Sequence, residues 1–410
     1  MRRLAQASSR SLSLPTCCKA LAVVLLALAG CDGTASERKT GGAVQGNQAE
    51  RPVAEGTHLP DDQELRQRVD RVLDFTLRRH LNAKVSNAWQ VVHGVLAFGP
   101  RLQVLVDGKP VSALEYLLEG GQLAGWTLVP GDSFPEGQGL EAILEPGDKV
   151  GQGHEDQWLG YLSQIGLAPD RTIMVRGQQF TTADMVRQAQ WDVYDGMEAT
   201  WTLMAFSTYL PLDARWQAKN GQEWTLERLV AMEARQDLRS SACGGTHRLY
   251  GLCTAVNRYL ESKQPLQGGW LEAENKIQEA VAAAQRYQNP DGSFSSNFFQ
   301  GPGQAADVGV QINTTGHTLE FLMLALKDAQ LRESWITKAV LFLCSKLEAT
   351  RKLDLECGGL YHAAHGLVLY RQRRFGPWVP EDGRATSSQE EPAAPTIDPA
   401  LGARQDAVRH

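Results

Sequence analysis

Apolar residues return along this chain at helical spacing, and the helical stretches come in pairs. Positions i, i+3, i+4 and i+7 predict helices over 64–81, 87–98, 113–119, 155–167, 182–191, 196–210, 225–238, 246–262, 272–288, 315–328, 333–349 and 360–372. The second member of each pair is the more apolar, as in Trp201–Leu210, Leu249–Leu260 and Leu319–Leu326. The first carries more charge, as in the run Glu272-Ala-Glu-Asn-Lys-Ile-Gln-Glu. A helix that is apolar nearly all round is buried, and an amphipathic one covers it. Two stretches alternate instead. Leu102–Val111 turns at Asp107-Gly108 and Thr172–Phe180 turns at Arg176-Gly177, so each predicts a small β-hairpin.

A ruler runs through the pattern. His93, His154, His247, His317 and His365 each stand near the expected start of a second-member helix, with Trp201 in that place in one pair. The intervals from His93 onward are 61, 47, 46, 70 and 48 residues. Three intervals of nearly equal length mark an internal repeat, and the other two are the same repeat with insertions. The resulting expectation is an all-α fold, an α/α toroid of about six helix pairs with small β-hairpin insertions. The inserted loops, 120–153 and 289–314, then enlarge the face that carries the histidines and form the rim of a central pocket. His93, His154, Trp201, His247, His317 and His365 are its expected lining.

The ends of the chain differ from the body. Arg2, Arg3, Arg10 and Lys19 precede an apolar run, Ala20–Gly30, that is too short to span a bilayer. It closes on Leu28-Ala29-Gly30-Cys31, which resembles a bacterial lipobox. The resemblance implies a lipoprotein signal peptide over 1–30 and lipidation of Cys31. It also implies residence in the cell envelope, anchored on the outer face of the cytoplasmic membrane. Residues 31–62 are rich in Gly, Gln, Glu and Thr and read as a flexible tether. Residues 63–378 form the expected toroid domain. Residues 379–410, rich in Pro, Glu, Ser and Ala, are expected to be a disordered tail. A net charge of −6 without a basic patch argues against nucleic acid as a partner.

Two local sequences resemble the repeat family of squalene cyclases and protein prenyltransferases. Tyr287-Gln-Asn-Pro-Asp-Gly-Ser-Phe-Ser resembles that family's Gln-x-x-Asp-Gly-Ser-aromatic repeat. Cys243-Gly-Gly-Thr-His247 and Cys357-Gly-Gly-Leu-Tyr-His362 resemble the Gly-Gly steps that open its inner helices. The resemblance covers roughly 240–370 and implies the toroid fold, not an activity. The Asp-x-Asp-Asp acid motif of squalene cyclases is absent from the sequence, so that catalysis is not expected.

Three kinds of chemistry remain open. Prenyltransferases hold zinc with Asp, Cys and His, and lanthionine cyclases, another toroid, use two Cys and one His. By that resemblance Cys243, His247, Cys357 and His362, with His317 and His365 beside them, are candidate zinc ligands. An acid/base site for an envelope glycan or lipid would draw on Asp195, Glu198, His247, His317 and Glu320. Trp89, Trp158, Trp201 and Trp270 would stack on its sugar. The third reading is non-catalytic: the pocket binds a lipid, peptide or glycan. A residue repeated in every repeat more often builds the fold than runs one reaction. The irregular positions therefore carry the functional expectation: the doubled His362 and His365, the two Cys-Gly-Gly turns and the loop 289–314.

Overall fold

The computed structural model describes residues 59–146 and 150–381. Cys31, the expected signal segment, nearly all of the expected tether and nearly all of the expected C-terminal tail lie outside the described residues. Twelve α-helices are present among those described. They are α1 (Asp62–Leu77), α2 (Ala88–Phe98), α3 (Ala113–Leu118), α4 (Gln157–Gln164), α5 (Thr182–Asp192) and α6 (Thr200–Tyr209). The second half contributes α7 (Leu226–Arg235), α8 (Thr246–Glu261), α9 (Gly268–Arg286), α10 (Val308–Ala325), α11 (Ser334–Ala349) and α12 (Cys357–Phe375). None of them is long and apolar enough to cross a membrane.

The even-numbered helices carry the core. α6 is buried from Thr200 to Ser207, α8 from Thr246 to Asn257 and α12 from Cys357 to Arg371. The odd-numbered helices bury only a stripe, such as Trp270, Ala273, Ile277, Ala280, Val281 and Ala284 of α9. Helices α2, α4, α6, α8, α10 and α12 pack each against the next in that order, and α12 packs against α2. α12 also packs against α1, where buried Arg371 and Asp70 pair at 2.6 Å.

Close approach between these core helices is made by glycine. A Cβ on Gly316 of α10 would lie 2.7 Å from the Cα of Ala363 in α12. One on Gly366 would lie 3.1 Å from the backbone nitrogen of Glu320. Gly160 of α4 faces Trp201 in the same manner, and Gly251 of α8 faces the Thr200 carbonyl.

Three helices, α9, α10 and α12, begin three or more residues earlier than hydropathy predicts. α10 starts at Val308 because Asp307 caps it through the Val310 amide at 2.8 Å; its opening Val308-Gly-Val-Gln-Ile312 is apolar at every second position and so does not read as helix. The expected loop 289–314 is shorter as a result, and His317 sits in the third turn of its helix, not near its start. α12 starts at Cys357, where the Glu356 carboxylate accepts from the amides of Gly358 and Gly359 at 2.7 Å each. The second Gly-Gly pair therefore lies inside its helix. The first keeps its place in a short 3₁₀ turn, Ala242–Gly245, before α8.

The small strands comprise β1 (Leu81–Asn82), β2 (Gln103–Val106), β3 (Lys109–Ser112), β4 (Leu128–Phe134), β5 (Gly137–Ala142), β6 (Thr172–Val175), β7 (Gln178–Thr181), β8 (Arg215–Gln217) and β9 (Glu223–Thr225). β2–β3 and β6–β7 are the two expected antiparallel hairpins, with Asp107-Gly108 and Arg176-Gly177 at positive φ. β1 adds a parallel strand beside β2. β4–β5 occupies part of what the sequence reads as the loop 120–153, where Pro130, Gly131, Gly137 and Gly139 mask the alternation. β8–β9 is also additional.

Three of the hairpins lead straight into an odd-numbered helix. Each ends on Gly-x-x-apolar-hydroxyl: Gly108 to Ser112, Gly177 to Thr181 and Gly221 to Thr225. Ser112 and Thr225 cap α3 and α7 through their side-chain oxygens, and Thr181 forms a capping box with Asp184.

Replacing Gly316 with alanine tests the α10–α12 approach. Because the new methyl meets backbone, the variant is expected to lose roughly 1–3 kcal/mol. An unchanged melting temperature would show that the two helices have room to spare.

Candidate functional site

The structure gathers most of the marked histidines around one point. α10 presents Asn313, His317 and Glu320 at spacings of four and three, which puts them on one face. α12 presents His362 and His365, also three apart, and packs that face against α10. α8 supplies His247 in its first turn. The 3₁₀ turn before it holds Cys243 at φ 49° and ψ 43°, followed by two glycines at positive φ, and this aims the thiol back toward His317. The imidazole centroids of His317 and His362 are 4.0 Å apart; those of His247 lie 5.0 Å from His317 and 4.8 Å from His362. His93 of α2 stands 5.1 Å from His362.

Hydrogen bonds fix which nitrogen of each ring is left for a ligand. His317 Nδ1 donates to the Asn313 carbonyl at 2.8 Å. His362 Nδ1 and His365 Nδ1 donate to the two oxygens of Glu320 at 2.8 and 2.6 Å. The Nε2 atoms of His362 and His365 are buried and without a hydrogen-bond partner. His93 is used up at both nitrogens. Nδ1 donates to the Trp89 carbonyl at 2.6 Å, and Nε2 accepts from the Tyr161 hydroxyl at 3.2 Å. His93 is thus a wall of the site, not a donor to it.

Electrostatics separates the rings. Burial, and then the neighbouring His362, hold His93 and His247 well below the ordinary imidazole range. Burial also lowers His362 to about 4, against the attraction of Glu320, so that ring is neutral at pH 7. His317 goes the other way. Burial opposes its cation, but the charge and hydrogen bond of Cys243, with Glu320 and the Asn313 carbonyl, outweigh burial and raise it to about 9. Burial opposes ionisation of Glu320, yet His362 and His365 hold its carboxyl well below the usual carboxylate range.

These residues fit a borderline-soft metal ion. The donor atoms of Cys243, His247 and His317 lie within 4.8 Å of one another, as do those of His247, Glu320 and His362. Zn–S and Zn–N bonds of about 2.3 and 2.0–2.1 Å imply tetrahedral ligand separations of roughly 3.3–3.6 Å, so a small inward movement closes either set. The Nδ1 bonds to a carbonyl and to a carboxylate are the outer contacts that orient metal-bound histidines. Metal binding there requires the Cys243–His317 pair to release its proton, which makes affinity pH-dependent.

The remaining marked residues lie elsewhere. Cys357 belongs to neither donor group, and burial, with Glu356 beside it, raises its thiol to about 11. All four cysteines of the described body are free thiols. Asp195 is exposed and pairs with Arg228 at 2.8 Å. His154 precedes α4 in a half-exposed position, donating Nδ1–H to Glu198 at 2.7 Å and stacking on Trp201 at 4.3 Å. Trp158, Trp201 and Trp270 are buried, and Trp270 stacks on Tyr259. They pack the fold and leave no open face for a sugar. Sequence reading missed the carbonyls of Trp89 and Asn313. Their signal is a residue four places before each histidine, the spacing that lets Nδ1 reach back one helical turn.

No family model, no curated protein and no solved structure matches the chain.

The neutral rings give a pH signature. An imidazole in the unfolded chain titrates near 6.5. Below that pH the unfolded chain takes up protons that His93, His247 and His362 refuse, so stability falls as pH falls. Each such ring is expected to cost about 2 kcal/mol between pH 6.5 and 5. His317 has the opposite sign: its contribution is complete below pH 6.5 and is lost as pH rises through about 9. Denaturant midpoints of metal-free protein should therefore drop on both sides of neutrality. A midpoint that stays level from pH 7 to 5 would contradict neutral buried rings.

Proposed function

We propose that this chain is an exported lipoprotein whose α/α toroid holds a zinc-class ion where its inner helices converge and presents it to a small ligand of the cell envelope. The closed order of helix contacts, α2 through α12 and back to α2, supports the toroid. So do the Gln-x-x-Asp-Gly-Ser-Phe stretch and the Cys-Gly-Gly turns. The apolar run ending at Cys31 supports export and a membrane anchor. One observation carries the metal: a thiol and two imidazoles with donor atoms mutually within 4.8 Å, one of those rings having its Nδ1 locked on a backbone carbonyl. Cys243, His247 and His317 hold the ion in this reading, and His362, fixed by Glu320, lies beside it. Three protein ligands leave a coordination position for water or substrate, as in catalytic rather than structural zinc sites. Bound there, zinc supplies Lewis acidity to a ligand oxygen. Squalene-cyclase chemistry is not part of the proposal, because its acid motif is absent from the sequence.

Detergent-extracted protein is expected to carry about one zinc per chain by elemental analysis. Cys243→Ser and His317→Ala should lose most of it, Cys357→Ser should keep it, and Glu320→Gln should weaken affinity roughly 10- to 100-fold. Full zinc in folded Cys243→Ser and His317→Ala variants sinks the assignment. For the anchor, Cys31→Ala should shift the protein from the membrane pellet to the soluble fraction. Unchanged pelleting after carbonate washing would refute lipidation there.

A further inference from the structure

We propose that the cleft beside the cysteine turn binds a neutral, hydroxyl-rich ligand, a sugar unit or similar polyol, recognised by the His154–Glu198 pair. The cleft is open to solvent and has a volume of about 490 Å³, within the usual range for small-molecule sites. It is bounded by His154, Glu198, Gln236, Arg239, Ser241 and Arg248, and its wall at Ala242 adjoins Cys243.

Charge selects the ligand class. Both arginines in the cleft are already balanced. Buried Arg248 pairs with buried Glu233 at 2.9 Å and donates to the Asp237 carbonyl at 3.3 Å. Arg239 pairs with Asp237 at 2.8 Å. Glu198, bonded to His154, is the carboxylate that lines the cavity, and it disfavours a phosphate or carboxylate. Hydroxyl groups find what they need there. Glu198 Oε2 accepts from His154 Nδ1, which leaves His154 Nε2 and the second carboxylate oxygen for the hydroxyl groups of a ligand. Gln236 offers an amide, and Ser241 Oγ keeps lone pairs after donating to the Asp237 carbonyl at 3.1 Å.

The cleft also communicates with the donor set. His154 stacks on Trp201, and Trp201 lies 5.3 Å from His247, centroid to centroid. A ligand resting on His154 is therefore one aromatic layer from the proposed ion. The role of this ligand as substrate rests on the metal reading; its binding does not.

Calorimetric titration of the folded protein with triacetylchitotriose, and with galacturonate as the anionic comparison, tests the idea. Triacetylchitotriose should bind saturably, about tenfold more weakly to Glu198→Gln and to His154→Gln. It should bind with unchanged affinity after a chelator has removed metal, which separates this proposal from the zinc assignment. Circular dichroism identifies a variant that fails to fold, and the other variant then decides. No saturable heat with the neutral sugar, tighter binding of galacturonate, or folded variants that match the wild type would each overturn it.

Discussion

The organisation of the site depends on one carboxylate held between two imidazoles. Glu320 accepts from His362 through one oxygen and from His365 through the other, with all three side chains buried. A buried carboxylate persists only if it is compensated, and a buried imidazole only if its donor finds an acceptor. Each group here meets the requirement of the other two. The arrangement needs α10 and α12 to touch at the backbone, which Gly316 and Gly366 permit. Small residues at the helix crossing, the carboxylate clamp and the tautomers of the histidines are thus one linked constraint. It also leaves two Nε2 atoms buried without partners, an arrangement that costs free energy unless something else in the site uses them.

Much of this was legible from pattern alone. All twelve helices follow from helical periodicity, and the alternation of apolar and amphipathic members separates buried from covering helices. The Asp-Gly and Arg-Gly hairpins follow from turn chemistry. What stayed hidden has identifiable causes. The first turns of α10 place Val308, Val310 and Ile312 at a period of two, which hides the helix start capped by Asp307. The hairpin β4–β5 is rich in glycine and proline. The Gly-x-x-apolar-hydroxyl repeat before three covering helices is short, and a search tuned to histidine spacing passes over it.

The site itself was half visible. Histidine spacing marked His247 and His317, the doubling beside His365 marked His362, and Cys243 came with its Gly-Gly turn. The parallel with Cys357 misled, because identical Cys-Gly-Gly strings take different conformations. At 243 the string is a left-handed turn that presents a thiol. At 357 it is the first turn of a helix, pinned by Glu356, and its thiol is turned into packing beside the Gln90 side chain. No reading of six letters separates the two. The distinction comes from the preceding residue: Glu356 can bond two amides and start a helix at once, while Ala242 cannot.

The pairing of Arg371 with Asp70 joins the last described helix to the first, and it has a consequence for the order of assembly. His362 and His365 belong to that last helix. During synthesis from the N-terminus, Glu320 and the face of α10 around it emerge well before either imidazole that satisfies them. Seating of α12 against α10, α1 and α2 therefore completes the carboxylate clamp and joins the two ends of the domain in a single event. A chain interrupted before residue 357 would hold all eleven preceding helices yet keep a bare carboxylate at its centre. Completion of the site is in this sense a built-in report that all twelve described helices have arrived.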